Sequence, residues 1–275
     1  MKNTSILLVF FLSFIYHAKG QSFVVQYAYF KHAEKDSTKI ISQNTFLNIE
    51  EDYSTFFSEA PYLCDSIMAA DEKQGKKINF KALPADLIGC FIKKNVLNKE
   101  ITYYSDEFDE HEFKYNEKPE LKWNVGKESK EIMGFRTLSA TVKYAGRDYK
   151  AYFTSEIPIQ DGPYKFFGLP GLILEIFDEK NDHHFLAVGI SKEKKISINE
   201  RITKGRYIET TREKFIEMRK NHIQAPLKRM FELMNAHQIY EKKDANGNIV
   251  DMRKMLGETQ KKMIEEYKKE NKIEL

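Results

Sequence analysis

The sequence predicts an α+β fold: a curved antiparallel β-sheet or half-barrel followed by a helical C-terminal region. Three observations predict it. Between Asp86 and Ile190, short apolar runs alternate with turn signals and no helix-length pattern intervenes, which implies hairpins rather than crossover helices. Aromatic residues make up 13% of the chain, so a single sheet carries rings that need cover on both faces. Past residue 208 the apolar spacing lengthens to the three or four residues of an amphipathic helix.

In chain order, residues 1–20 read as a cleavable secretory signal. Lys2 precedes an uncharged apolar stretch, Ile6 to Tyr16, and Ala18-Lys19-Gly20 supplies the small residues a signal peptidase requires, placing cleavage between Gly20 and Gln21. The stretch is about half of the roughly 20 apolar residues a membrane-spanning helix needs. No cysteine follows the cleavage site, so the acceptor for lipid attachment is missing and a soluble mature form is expected in the periplasm or secreted. Removing the segment takes two lysines, leaving 42 basic against 41 acidic residues, and Lys alternates with Glu throughout. Such a balance argues against a nucleic-acid partner. The expected division is 1–20 signal peptide, 21–208 antiparallel β-rich domain and 209–275 helical region.

Phe23 to Phe30, rich in β-branched and aromatic residues, reads as the first strand. Extended patches follow over 38–57, and 62–74 reads as a helix with Leu63, Ile67 and Ala70 on one face. Further strands are expected at 87–96, 100–105, 111–115, 121–125, 131–144, 147–157, 171–178 and 184–191. The clearest hairpin joins the Thr137–Tyr144 run to Asp148–Thr154 through Ala145-Gly146-Arg147, where glycine supplies positive φ. A capping box at Thr210 and Glu213 opens the helical region. Phe215, Met218 and His222, then Leu227, Met230, Phe231 and Met234, form an apolar stripe, and Pro226 is expected to split or kink it. After a turn at Asn246-Gly247-Asn248, a last helix is expected over Asp251–Lys269.

Cys64 and Cys90 invite a disulfide in an oxidising compartment, worth about 3.5 kcal/mol in the chain-entropy model. Two buried thiols acting as small apolar residues are the alternative. The marker for a hydrolase nucleophile, Gly-x-Ser-x-Gly, is absent, as are His-Glu-x-x-His and the phosphate-cradling glycine patterns. Asp178, Asp182, His183 and His184 are possible metal ligands, but adjacent histidines on a strand point to opposite faces and the stretch also reads as a charged turn. Arg147 and Asp148 read as a surface turn. No catalytic residue, metal or cofactor is assigned, and a non-enzyme is the favoured reading.

Residues 161–176 read Asp-Gly-Pro-Tyr-Lys-Phe-Phe-Gly-Leu-Pro-Gly-Leu-Ile-Leu-Glu-Ile. The hexamer Gly168, Leu169, Pro170, Gly171, Leu172, Ile173 resembles the signature of the GLPGLI family of Bacteroidota exported proteins. The flanks agree: Gly146-Arg147 with Tyr149, the Ala151 to Thr154 strand, Ile157-Pro158, Gly162 to Phe166, and Asp178. One departure is that Gly134-Phe135-Arg136-Thr137 stands where the family carries a cysteine in a Gly-Tyr-x-Cys segment, so pairing through that position is absent. The resemblance implies an address in the cell envelope and no reaction. Physically, Pro170-Gly171 suits the centre of a type II turn launching a strand from Leu172.

These readings lead to an expectation of non-enzymatic binding of an apolar or peptidic ligand in the cell envelope. The candidate ligand contacts are Tyr152, Tyr164, Phe166, Phe167, Leu169 and Leu174, large apolar side chains whose exposure in a loop or cavity would signal recognition. A structural or interaction protein docking an envelope partner through its C-terminal helices is the alternative. A hydrolase or metalloprotein is the third.

Overall fold

The computed structural model describes residues 23–108, 111–192, 205–222, 225–237, 240–243 and 246–274; the expected signal segment and the Gly20–Gln21 junction lie outside them. The chain begins with three antiparallel neighbours, β1 (Phe23–His32), β2 (Ile40–Ile49) and β3 (Ser54–Ser58), followed by helix α1 (Ala60–Lys73). Next come β4 (Phe91–Asn95), β5 (Glu100–Phe108), β6 (His111–Glu117), β7 (Asn124–Ile132), β8 (Phe135–Tyr144) and β9 (Arg147–Thr154). After a long loop, β10 (Leu172–Asp178) and β11 (His183–Ser191) complete the run, and the short β12 (Tyr207–Glu209) leads into the helices. Among the described residues these twelve strands form one open sheet in the order β12-β6-β5-β4-β3-β2-β1-β11-β10-β9-β8-β7. Every neighbouring pair is antiparallel except β12 with β6.

The sheet is strongly curled, and two adjacent residues of the β9–β10 loop show it. Lys165 reaches Tyr115 on β6, while the Phe166 ring lies 4.7 Å from that of Tyr149 on β9. Eight strand intervals separate β6 from β9, about 38 Å in a flat sheet at roughly 4.8 Å per interval. Only a half-barrel brings both within reach of neighbouring side chains. Its concave face holds the core: Tyr27, Tyr29, Phe56, Phe166, Phe185 and Phe215 are each less than 2% exposed.

Local chemistry explains most element boundaries. Ala145 (φ 47°) and Gly146 (φ 84°) form the two-residue turn of the β8–β9 hairpin, both in the left-handed region that a tight hairpin turn requires. Met133 (φ 53°) and Gly134 (φ 81°) repeat the device between β7 and β8, so the single run expected over 131–144 is broken there. The expected runs 121–125 and 131–144 reach only the two ends of β7; its Lys/Glu-rich middle lacks apolar alternation because β7 is an edge, where exposed charges discourage further pairing.

Helix α2 (Arg212–His222) is capped by Thr211 rather than Thr210: Thr211 Oγ1 accepts from Lys214 N (3.3 Å). Thr210 N is instead drawn to Lys114 O (3.0 Å), extending the β6 edge by one bond. Pro226 lies just inside α3 (Ala225–Ala236), separate from α2, as a proline that can begin but not continue a helix demands. A two-stranded hairpin, β13 (Glu241–Lys243) with β14 (Ile249–Asp251), precedes α4 (Met252–Lys269). The Asp251 carboxylate caps α4 by accepting from Arg253 N (2.9 Å) and Lys254 N (3.2 Å). No described helix is long and apolar enough to cross a membrane.

The structure does not bridge Cys64 and Cys90. The Cys64 thiol on α1 donates to Pro84 O (3.5 Å), whereas Cys90 packs into the main core as a small apolar residue. Spacing in sequence made them candidates; in the fold Cys64 is partly exposed on α1 and Cys90 is buried.

Candidate functional site

The loop from Ser155 to Gly171 leaves β9, crosses the concave face and returns as β10. Its backbone is pinned by Gly168 N to Gln160 O (3.0 Å), Leu172 N to Ile157 O (3.0 Å) and Ile173 N to Asp161 O (2.9 Å). The Pro170-Gly171 corner is tighter than a type II turn: Gly171 N donates to Leu169 O (2.7 Å) across Pro170, whose fixed φ suits such a γ-turn. Gly171 sits at φ 153°, and a Cβ there would lie 2.0 Å from Thr154 O. Glycine is required because the corner rests directly on the β9 backbone.

The loop carries charge into the core. Lys94 on β4 is fully buried and pairs with Asp161 (2.5 Å) while also donating to Gly162 O (2.5 Å). Burial lowers the Lys94 pKa, and Asp161 opposes that shift. Lys165, also 0% exposed, donates to Tyr115 OH (3.0 Å) and pairs with Glu117 on β6 (2.5 Å) and Glu274 (2.6 Å). The Tyr103 ring lies beneath its ammonium at 4.7 Å. Burial disfavours the charged form, but Glu274 and its neighbours outweigh it and hold the Lys165 pKa well above the ordinary value. Arg212 at the start of α2 closes the cluster, with Nη2 on Glu274 (2.7 Å) and Nε near Glu117 (3.3 Å). Burial alone would raise the Glu274 pKa; Lys165 and Arg212 reverse this and bring it down to about 2. Tyr164, held at φ 52°, adds a hydrogen bond from its hydroxyl to Glu274 (2.8 Å).

Glu274 belongs to a non-helical segment that follows α4 and seals one side of the concave face. Beside it, Arg147 uses every N–H of its guanidinium: Nη1 binds Asp178 (2.8 Å) and Asp182 (3.0 Å), Nη2 binds Asn271 Oδ1 (2.9 Å) and Lys272 O (2.6 Å), and Nε binds Lys272 O (3.1 Å). Arg147 is therefore no surface turn residue; it is 8% exposed and stitches the β8–β9 hairpin to β10, β11 and the C-terminal segment. Asp178 also accepts from His183 N (2.8 Å), His183 Nδ1 meets Tyr29 OH (2.7 Å), and His184 Nε2 meets Glu175 (2.9 Å). The four possible metal ligands are thus dispersed among protein partners, and among the described residues no group of three or more His, Cys, Asp or Glu is placed to hold a metal. Burial, with Arg147 and Lys31, lowers the His183 pKa to about 3.

Between the sheet, α2 and this segment lies a cavity of about 410 Å³. Tyr29, Leu87, Ile88, Tyr103, Phe215 and Ile216 provide its apolar and aromatic lining, and Lys31, Arg219 and Lys220 bring positive charge to it. Of the six ligand contacts expected from sequence, Tyr164 lines this cavity. The others correct the expectation: Phe166, Phe167, Leu169 and Leu174 are 3% exposed or less and are packed in the core, and Tyr152 is 8% exposed with its hydroxyl on Glu128 (3.3 Å). Their apolar character reflects the packing of a loop inside a half-barrel. What sequence reasoning missed is the charge: Lys94, Lys165, Arg147, Arg212 and Glu274. A lysine between Tyr164 and Phe166 was the one available signal; nothing local marks Glu274.

A family model described as a protein of unknown function, Porph_ging, matches residues 144–175, from the β8–β9 turn through the loop into β10. Among curated proteins there is no significant match. The chain is similar to the solved structure of PNGF-II in the P21 space group, with a TM-score of 0.50 at 14% identity, covering 72% of this chain and 33% of that one. The C2 crystal form of PNGF-II is similar at a TM-score of 0.47 and 15% identity, covering 70% and 31%. The chain thus spans about a third of the length of PNGF-II. At this identity the likeness is one of fold, and the family match is confined to β9, the β9–β10 loop and the start of β10.

Proposed function

We propose that this is an exported, non-enzymatic binding protein of the cell envelope, a GLPGLI-type protein that holds an apolar or peptidic ligand on the concave face of its half-barrel. The observation that carries the reading is the cavity of about 410 Å³, which falls in the range of small-ligand sites and is lined by aromatic and aliphatic side chains, with Lys31, Arg219 and Lys220 and the carboxylates of Glu270 and Glu274 beside them. The buried ionisable groups that line it are engaged with other protein groups, Glu274 with Lys165 and Arg212, and His183 with Tyr29 and Asp178, which favours a binding role over a catalytic one. Export rests on the signal-like residues 1–20.

Native mass spectrometry of the protein isolated from its own host tests this directly. A stoichiometric adduct released by denaturation is expected, on a chain whose N-terminus is Gln21 and which fractionates outside the cytoplasm. A bare mass after mild isolation, unchanged by incubation with a lipid extract and a peptide mixture, would overturn the ligand reading. A cytoplasmic, uncleaved chain would overturn export. The alternative of partner docking through the C-terminal helices is favoured by Met230 and Leu233 on α3, which are 46% and 53% exposed. Loss of a co-purifying partner in the Met230→Glu/Leu233→Glu variant, with folding intact, would select that reading.

A further inference from the structure

Residues 270–274 contact the half-barrel in a way that separates what is read from what is not. Their only regular pairing among the described residues is a single bridge between Glu34 and Glu270. The main-chain carbonyls of Lys272 and Ile273 accept from side chains, Arg147 (2.6 and 3.1 Å) and Tyr149 OH (3.0 Å). Those contacts fix position and ignore residue identity. The Lys272 side chain turns back on its own segment, its ammonium 3.4 Å from the Tyr267 ring centroid and 3.4 Å from Glu270. Polar identity is read at two places: Asn271, whose amide joins Arg147 (2.9 Å) and His32 O (3.3 Å), and Glu274, whose carboxylate is held by Lys165, Arg212 and Tyr164, while between them Ile273 packs its side chain against the main core.

We infer that this groove is a reading site for an acidic, non-helical peptide segment of a partner protein, and that residues 271–274 occupy it as a resident surrogate. The inference rests on the concave face being a binding face: Tyr164 and Asn271 to Glu274 form one wall of the cavity, and the groove is what lies behind that wall, where Lys165 and Arg212 hold Glu274. Glu117 contacts both Lys165 (2.5 Å) and Arg212 (3.3 Å), so the two cations stay in place when the segment leaves. With Glu274 gone, the fully buried Lys165 and the partly exposed Arg212 share one carboxylate, and an incompletely compensated charge at Lys165 is costly. The vacated groove therefore demands an anion. Donors aimed at two consecutive carbonyls, 272 and 273, favour a peptide over a simple carboxylate or a fatty acid.

The test uses the full chain with Asn271→Ala and Glu274→Ala, which removes both read side chains, and a fluorescein-labelled peptide Glu-Asn-Ala-Val-Glu-Ala followed by fluorescence anisotropy. The variant is expected to bind the peptide at least about tenfold more tightly than the parent chain, because the surrogate no longer competes. Replacing the second glutamate of the peptide by glutamine, or adding Lys165→Met to the variant, is expected to weaken binding by about tenfold or more, the loss of a buried charge-assisted contact. A natively folded variant that ignores the peptide at millimolar concentration overturns the inference. So does equal binding of the glutamine peptide, or competition by acetate or laurate as effective as by the peptide. Should the variant not fold, hydrogen–deuterium exchange of the parent chain with millimolar peptide decides: faster exchange at residues 270–274 supports displacement, and unchanged exchange overturns it. Uptake of the apolar probe N-phenyl-1-naphthylamine by the parent chain reports on the cavity separately, so probe binding without peptide binding sinks this inference alone.

Discussion

The β9–β10 loop and the helical arm of α3 and α4 each carry a cluster of large apolar side chains, yet the fold treats them in opposite ways. The loop buries Tyr164, Phe166, Phe167 and Leu169 to 3% exposure or less, and its side chains meet partners from β3, β4, β6 and β9. The arm has its own small core, Met234 and Leu256 with Phe231, Met252 and Met263 around them, and leaves Leu233 53% exposed. Apolar content alone therefore does not locate stability. What matters is how many distant elements a segment ties together, because their simultaneous loss makes opening global rather than local.

That contrast can be broken at four points, in falling order of effect. Phe166→Ala should lower global stability by about 3–5 kcal/mol, the cost of a large cavity in the core; chemical denaturation with a single shifted transition is the expected result, and a change confined to the loop would refute the loop's central role. Glu274→Gln should cost about 3 kcal/mol by leaving Lys165 and Arg212 against Glu117 alone. Met234→Ala should cost about 2 kcal/mol, and hydrogen exchange should rise in α3 and α4 while the sheet stays protected. Leu233→Ala should change stability by about 0.5 kcal/mol or less, as an exposed position does.

Acid provides a sharper readout of the buried charges. The folded state holds His183 at a pKa of about 3 against an ordinary 6.5, so the unfolded chain takes up a proton that the native one refuses. Stability from this group is full above about pH 6.5 and falls as the pH drops toward 3. Glu274, lowered from 4.5 to about 2, adds a second loss over that lower window. Denaturation midpoints measured across pH should show both, and in Glu274→Gln the steepening below pH 4.5 should be reduced.

Much of the local architecture was legible. The Ala145-Gly146 turn, the start of β10 at Leu172, the break near Pro226 and the extent of the last helix to Lys269 all depend on residues within a few positions of one another. The misses share a cause. Thr211 displaced Thr210 as cap because β6 claimed the Thr210 amide, and the middle of β7 carries no strand signal because an edge strand need not alternate. The ligand cluster proposed from Tyr152, Phe166, Phe167, Leu169 and Leu174 is packed because the sheet curls around the loop, and curl is not written in any one strand.

By itself, then, the sequence determined most of the strand-and-turn order, the helical region and the place, though not the turn type, of the Pro170-Gly171 corner, since φ restriction, capping and hydrophobic period act over neighbouring residues. Only the tertiary structure decided that Lys165 and Arg147 are buried cations and that the segment after α4 completes their sites. Their partners lie far along the chain, with Arg147 and Asn271 separated by 124 positions. A charge can enter a core only where the fold delivers its counter-charge, and that delivery is a property of the assembled half-barrel.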